Sequence, residues 1–360
     1  MATKANEPSR TVLVIRFTAL GDVAMVIPVL YPVCRANPDT RFVMLTQEWS
    51  ATMMINAPEN LVLRGINVRD KHMSIWAMWG FAARLNDEFH FDAVADLHGV
   101  WRSWAIDLRL KLSGVKVAQV NKWRKARRQL VSGRSKEAVP NTVTRYRAVF
   151  AELGLTLPPA DEFTTIIDDG PELSSMLAPE KGVDERWIAV SPFSSHPTKV
   201  YPFERVAAMV VALASRPNYH VFLFGGGKQE KITLRPLGKN LDRVVSLAEI
   251  RHGFEDEFAV LSRCDAMVSM DSANMHLASL VGLPVIGIWG PTTPACGFMG
   301  YNQDINNVVE RKDLSCRPCS IYGERKCRYG DTHCLDIDPE EIVERVVNLV
   351  EGRRNSTVEK

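Results

Sequence analysis

Asp22 lies five residues beyond an apolar run, Val12 to Phe17, and directly ahead of another that begins at Val23. A carboxylate there has two readings. It can cap a helix, since Asp is favoured where the first free amides of a helix need an acceptor. It can also act as a base, because ligands of open α/β sheets bind outside the carboxyl ends of the strands. A weak base suffices for a hydroxyl nucleophile, which acidifies as its new bond forms. Gly21 completes a Gly-Asp pair at the same exit.

A second group of residues has the chemistry of an anion site. "SPFSSHPTKVYPFERV" (191–206) places Ser194, Ser195 and Lys199 in a loop that follows an apolar run and enters a helix near Pro202. Two hydroxyls and a compact ammonium suit a diphosphate; an ordinary capped loop with a solvated Lys is the plainer alternative. "SMDSANMHLASLVGLPVIGIWGPTTP" (269–294) reads as strand, sharp turn, short helix and strand. Ser272, Ala273 and Asn274 would open that helix, whose free N–H groups attract anions. Asp271 can accept from sugar hydroxyls, and His276 can face a phosphate or lie in the core. Gly225 and Gly226 belong to a Gly-rich turn after a strand, which lacks the ending of a P-loop. Glu249 in "SLAEI" can reach a ribose.

In the first half, "DLHGVWRSW" (96–104) brings Asp96, His98 and Arg102 to another strand-to-helix exit, with Ser103 reading as a plain first-turn residue. Residues 116–136 carry eight cations and no acid, among them Lys122 and Arg124. A basic, Trp-containing stretch suits an anionic acceptor or a membrane surface, and equally a solvated face. Cys316, Cys319, Cys327 and Cys334 fall within nineteen residues. They can bind a structural zinc, remain free thiols, or form disulfides, although the second C-x-x-C of a zinc ribbon is missing.

These residues need a frame. Seven apolar runs (11–17, 41–46, 91–97, 186–193, 219–227, 265–270 and 283–290) alternate with amphipathic stretches, which predicts parallel sheets covered on both faces. A polar, Pro- and acid-rich stretch at 157–175 breaks the rhythm. Two doubly wound α/β domains are expected, 1–170 and 171–340, facing across a cleft, followed by a C-terminal helix and tail at 341–360. The chain of 360 residues is long enough for two cores. Its 46% hydrophobic and 24% charged content is that of a soluble protein, and a net charge of +2 offers no global argument for nucleic-acid binding. No run approaches the roughly 20 apolar residues of a membrane span. The polar N-terminus and the odd count of seven cysteines predict a cytoplasmic chain without a disulfide framework.

The motifs "VLVIRFTALGDVAMVIPVLYPV", "FDAVADLHGVWRS", "AVSPFSSHPTKVYPFE", "LFGGGKQE" and "DSANMHLASLVGLPVIGIWGPTTP" resemble, in order, glycosyltransferase family 9, the ADP-heptose:lipopolysaccharide heptosyltransferases. The resemblance runs from about 11 to 295. It implies a GT-B architecture, acceptor-binding first domain and nucleotide-sugar-binding second. It implies inverting transfer of heptose from an ADP-sugar to a lipopolysaccharide core acceptor at the inner face of the cytoplasmic membrane. Asp22 matches the family's proposed general base. Ser194, Ser195 and Lys199 match its phosphate-binding group, and Asp271 and Ser272 its donor element, with His276 nearby. Ala273 and Asn274 depart from the usual Gly-Pro, adding a Cβ beside the expected diphosphate. No metal-ligand set surrounds that position, so protein groups are expected to serve where Mg²⁺ does elsewhere; Mg²⁺ as an activator and zinc at the cysteines are the cofactor candidates. Nucleic acid is not expected as a partner. A sugar-nucleotide epimerase of the same fold and a zinc- and nucleic-acid-binding protein are the rival readings.

Overall fold

The computed structural model describes residues 8–67, 74–167 and 172–358. The polar N-terminus up to residue 7, the expected boundary at 170/171 and the last two tail residues lie outside them. The chain divides into two compact units, Met1–Lys122 with Thr142–Ile166, and Trp123–Asn141 with Ile167–Lys360.

In the first unit, β1 (Arg10–Ile15), β2 (Thr40–Thr46), β3 (Leu61–Gly65), β4 (Ala93–Asp96) and β5 (Lys116–Gln119) form one sheet in the order β3-β2-β1-β4-β5. Every pairing is parallel, with Ile15 beside Leu45 on one side and Asp96 on the other. The helices are α1 (Leu20–Ala24), α2 (Ile27–Ala36), α3 (Glu48–Ala51), α4 (Ile75–Phe89) and α5 (Trp101–Leu112), with α7 (Thr142–Glu152) returning after an excursion into the second unit. The strands read as unbroken apolar runs because both faces are covered. Leu13, Ile15, Val43, Leu45 and Val94 pack against Met78, Ala82 and Leu85 of α4 and Ile106 and Leu110 of α5.

The second unit begins with α6 (Arg124–Val131). Its sheet runs β11-β10-β9-β6-β7-β8, from β6 (Arg186–Ser191), β7 (Tyr219–Leu223), β8 (Val244–Ser246), β9 (Ala266–Met270), β10 (Val285–Trp289) and β11 (Val308–Glu310), again all parallel. The helices are α8 (Phe203–Ala214), α9 (Lys228–Asn240), α10 (Phe254–Leu261), α11 (Ala273–Leu280) and α12 (Pro339–Val358). Val206, Met209, Val210 and Leu213 of α8 share one core with Ile342, Val343, Val346 and Val350 of α12. The C-terminal helix is thus part of this unit's core and not an appendage. Burying each such side chain stabilises by roughly 1.5–3 kcal/mol.

Both sheets reverse direction at one place, between β1 and β4 in the first unit and between β6 and β9 in the second. Such switch points are where open α/β sheets bind ligands. Asp22 and Asp96 follow or end the first pair of strands, and Ser194, Lys199 and Asp271 follow the second.

The basic stretch is divided. Lys116 belongs to the first unit, where its Nζ donates to the Glu152 carbonyl at 2.7 Å. Residues 123–141 group with the second unit, because Val139 N donates to Ala295 O and Leu130, Val139 and Cys296 form a small apolar cluster. Arg127 is buried there, its guanidinium 5.0 Å from the Phe298 ring and its Nη1 donating to the Tyr322 hydroxyl. Of the eight cations, Lys116 and Lys122 thus belong to the first unit and the other six to the second.

Candidate functional site

In the first unit the N-cap of α1 is Ala19, so Asp22 lies inside the first turn and does not cap it. Its side chain is 25% exposed, and Arg16 Nη2 donates to Oδ2. Arg16 also holds the Leu97 carbonyl at 2.9 Å, which ties the exits of β1 and β4 together. The Tyr146 hydroxyl donates to the Asp22 carbonyl at 3.3 Å. Gly21 is buried beneath the carboxylate's own turn.

Asp96 is fully buried and committed to local structure. Its Oδ1 accepts from the amides of His98 and Gly99, and its Oδ2 from Ser103 Oγ at 2.8 Å and Gln119 Nε2 at 2.9 Å. The expectation that it contacts the acceptor is corrected: a carboxylate with these four donors builds the turn that presents His98. Ser103 is a first-turn residue, as expected, its Oγ also accepting from Val100 N.

His98 is 8% exposed and edge-on to Phe17, with centroids 5.5 Å apart. Burial, then Arg16, Lys122 and Arg102, lowers its pKa to about 3, so the ring is neutral. Those three cations gather around His98. Arg102 stacks on the Trp101 ring at 4.2 Å. Lys122 passes over Gly99, where a Cβ would stand 3.2 Å from its Cε and where φ is +60°; glycine is needed on both counts. Arg124 belongs to the other unit and is exposed there.

Beside this turn Asp107 is buried against Asp96, and desolvation, followed by the Asp96 charge, raises its pKa well above the ordinary carboxylate range. The folded chain then holds a proton that the unfolded chain loses at lower pH. Stability from this pair is fully present in acid and falls as pH rises through the raised value. Asp107→Asn should therefore flatten the decline of the urea midpoint toward alkaline pH. Equal pH profiles for both proteins would exclude a protonated Asp107.

In the second unit Lys199 and Asp271 form a buried ion pair at 3.3 Å, and Thr292 Oγ1 donates to the same Oδ2 at 2.7 Å. Asp271 thus receives two protein donors on Oδ2 and holds the ammonium in place. Ser194 Oγ donates to the Asp271 carbonyl at 3.1 Å, joining the two loops, while Ser195 is exposed in the same loop. Ser272 is the N-cap of α11 and Ala273 its first residue, with Ser272 Oγ 3.2 Å from Ser269 Oγ. Asn274 Nδ2 reaches Ser191 Oγ at 2.5 Å, tying α11 to the end of β6. His276 is buried in α11.

Gly226 N and Gly227 N both donate to Glu230 Oε2, at 2.8 and 3.2 Å, so the Gly-rich turn is closed by the chain's own carboxylate. Gly225 packs under Glu230 and Leu234. Glu249 is held by Arg235 through two hydrogen bonds, of 2.9 and 3.2 Å, which lowers its pKa. It lies beyond β8, the edge strand, away from the switch point.

The cysteine segment buttresses the loop that carries Lys199. Gly323, at φ +86°, leaves room for the Lys199 stem, which a Cβ would strike at 2.6 Å. Thr198 Oγ1 donates to the Gly323 carbonyl. Arg317 donates to the carbonyls of Trp289, Gly290 and Thr292 and to Glu310, fixing the loop after β10. Cys316, Cys319, Cys327 and Cys334 line one small cavity with Thr198 and Pro291. All four are free thiols, burial pushing that of Cys334 up to about 11. Among the described residues no group of three or more His, Cys, Asp or Glu is arranged to hold a metal ion, so the zinc expectation has no formed ligand set.

The profile of glycosyltransferase family 9 (heptosyltransferase) matches residues 79–329, more than half the chain. The chain belongs to glycosyltransferase family 9. The transferase is 25% identical over 335 residues to lipopolysaccharide heptosyltransferase 1 of Pseudomonas aeruginosa, covering 89% of this chain and 88% of that protein. It is 26% identical over 330 residues to lipopolysaccharide heptosyltransferase 1 of Salmonella typhimurium, covering 87% and 99%. A glycosyl transferase family 9 structure from Veillonella parvula superposes with a TM-score of 0.70 at 18% identity, over 96% of this chain and 98% of that one. The E. coli heptosyltransferase WaaC with ADP gives 0.60 at 21%, over 83% and 92%. The transferase has the GT-B fold of these structures. Among its described residues no helix is long and apolar enough to cross a membrane.

Proposed function

We propose that the transferase moves heptose from ADP-heptose to a sugar hydroxyl of the lipopolysaccharide core by a single, inverting displacement. The carrying observation is Asp22: a partly exposed carboxylate, oriented by Arg16, at the switch point of the first sheet of a glycosyltransferase. The acceptor oxygen attacks the anomeric carbon, its proton passes to Asp22, and the bond from that carbon to the diphosphate oxygen breaks. Lys199, the Ser194–Ser195 loop and the free amides opening α11 stabilise the charge that develops on departing ADP. Arg16, Arg102 and Lys122 around neutral His98 favour an acceptor bearing anionic groups. Such an acceptor is anchored in a bilayer, so the chain works peripherally at the cytoplasmic face of the inner membrane.

Thermal unfolding with ADP, UDP, GDP and CDP, then ADP-heptose, tests the donor. A ligand at a hundred times its Kd should add roughly 2.7 kcal/mol of stability. Selective stabilisation by ADP and ADP-heptose is expected. Selective stabilisation by another nucleotide would overturn the assigned donor.

A further inference from the structure

The first unit contains five tryptophans, Trp49, Trp76, Trp79, Trp101 and Trp104, and four of them, all but Trp79, are exposed. In the second unit Trp187 and Trp289 are wholly buried and Trp123 is exposed. The difference is concentrated on two helices. Trp101, Trp104, Leu108 and Leu112, all exposed, occupy one stripe of α5 spanning roughly 80° of its circumference at 3.6 residues per turn. Arg109 and Arg102 border the stripe on one side and Lys111 on the other. The only acid of α5, Asp107, points inward and is buried. α4 packs alongside, and its first turn exposes Ile75 and Trp76, the latter at 78%. Both helices follow strands of a parallel sheet, so their first turns lie at the carboxyl end, the same end as Asp22 and His98.

An outward stripe of Trp and Leu is the reverse of ordinary surface patterning, where scattered apolar residues are normal and contiguous ones mark an interaction site. Trp flanked by Arg and Lys is the composition of a helix lying in a lipid headgroup layer, with the cations meeting anionic lipid. We infer that the exposed faces of α4 and α5 dock the transferase on an anionic bilayer surface, with α5 lying in the headgroup layer. The inference rests on the reading that the acceptor is lipid-anchored.

The test uses the full chain with vesicles containing phosphatidylglycerol and vesicles of phosphatidylcholine alone. Wild type should sediment with the first, less so at high salt, and weakly with the second. The triple variant Trp104→Ser/Leu108→Ser/Leu112→Ser should bind phosphatidylglycerol vesicles about tenfold more weakly or worse, since such binding scales with buried apolar area. Its unfolding midpoint and its transfer to a lipid-free acceptor saccharide should stay unchanged. Quenching of wild-type tryptophan fluorescence by brominated lipid provides an independent readout that needs no variant, and is expected for exposed tryptophans seated in the bilayer. No vesicle binding by wild type, undiminished binding by a folded triple variant, or no quenching would each overturn the inference. A wild-type dimer that the triple variant converts to a monomer would assign the face to a second copy of this chain instead. Failure of transfer to the lipid-free acceptor by wild type, with vesicle binding intact, would overturn the proposed reaction and leave the docking face standing.

Discussion

Asp22→Asn is expected to fold, to bind the donor with wild-type affinity, and to lose transfer by about 100- to 10,000-fold, the usual contribution of a general base. The substitution is nearly isosteric. The amide oxygen can still accept from Arg16, and the bond from Tyr146 goes to the backbone carbonyl, which is untouched. What disappears is the capacity to take the acceptor's proton. A purely structural role, through the pair with Arg16, predicts a lower unfolding midpoint with turnover per folded molecule unchanged. The loss should fall on kcat, with donor Kd measured separately by calorimetry. Near-wild-type turnover in a properly folded Asp22→Asn protein would remove the general base and leave positioning of the two substrates as the source of rate.

The frame was legible wherever a strand is central. The seven apolar runs correspond to β1, β2, β4, β6, β7, β9 and β10, each covered on both faces and so written as a continuous hydrophobic string. The remaining four, β3, β5, β8 and β11, are edge or near-edge strands of three to five residues with partly exposed positions. Half-covered strands that short carry too few apolar residues to stand out. The excursion of 123–141 into the other unit rests on tertiary contacts of Arg127 and Val139 that no local pattern encodes.

The site residues divide by the same logic. A type of residue at a strand exit shows that polar chemistry is placed there, but not whether the partner is a ligand or another part of the chain. Asp96 and Asp271 look like binding carboxylates in sequence; in the fold both oxygens of Asp96, and Oδ2 of Asp271, accept from protein donors. Glu230 had a readable signal, standing three residues after Gly227 at a helix start, the spacing of a capping box. Arg317 had none: its position in "CRPCS" says nothing of the backbone carbonyls it gathers.

The Lys199–Asp271 pair yields the sharpest separation of binding from folding. Lys199→Ala removes the cation expected on the donor diphosphate, which should weaken ADP-sugar binding by about 1.5–3 kcal/mol, roughly 10- to 150-fold in Kd. It also leaves Asp271 buried with Thr292 as its remaining side-chain donor, and breaking a buried pair from one side costs about 3–5 kcal/mol of stability. A loss of binding in that variant alone could therefore reflect a collapsed loop. Asp271→Asn added to Lys199→Ala removes both charges, and with them the uncompensated carboxylate. Stability should return most of the way to wild type in the double variant, while donor affinity stays as weak as in Lys199→Ala. If affinity returned together with stability, Lys199 would be a strut for the Ser194–Lys199 loop, and the charge that meets the diphosphate would have to come from the amides opening α11.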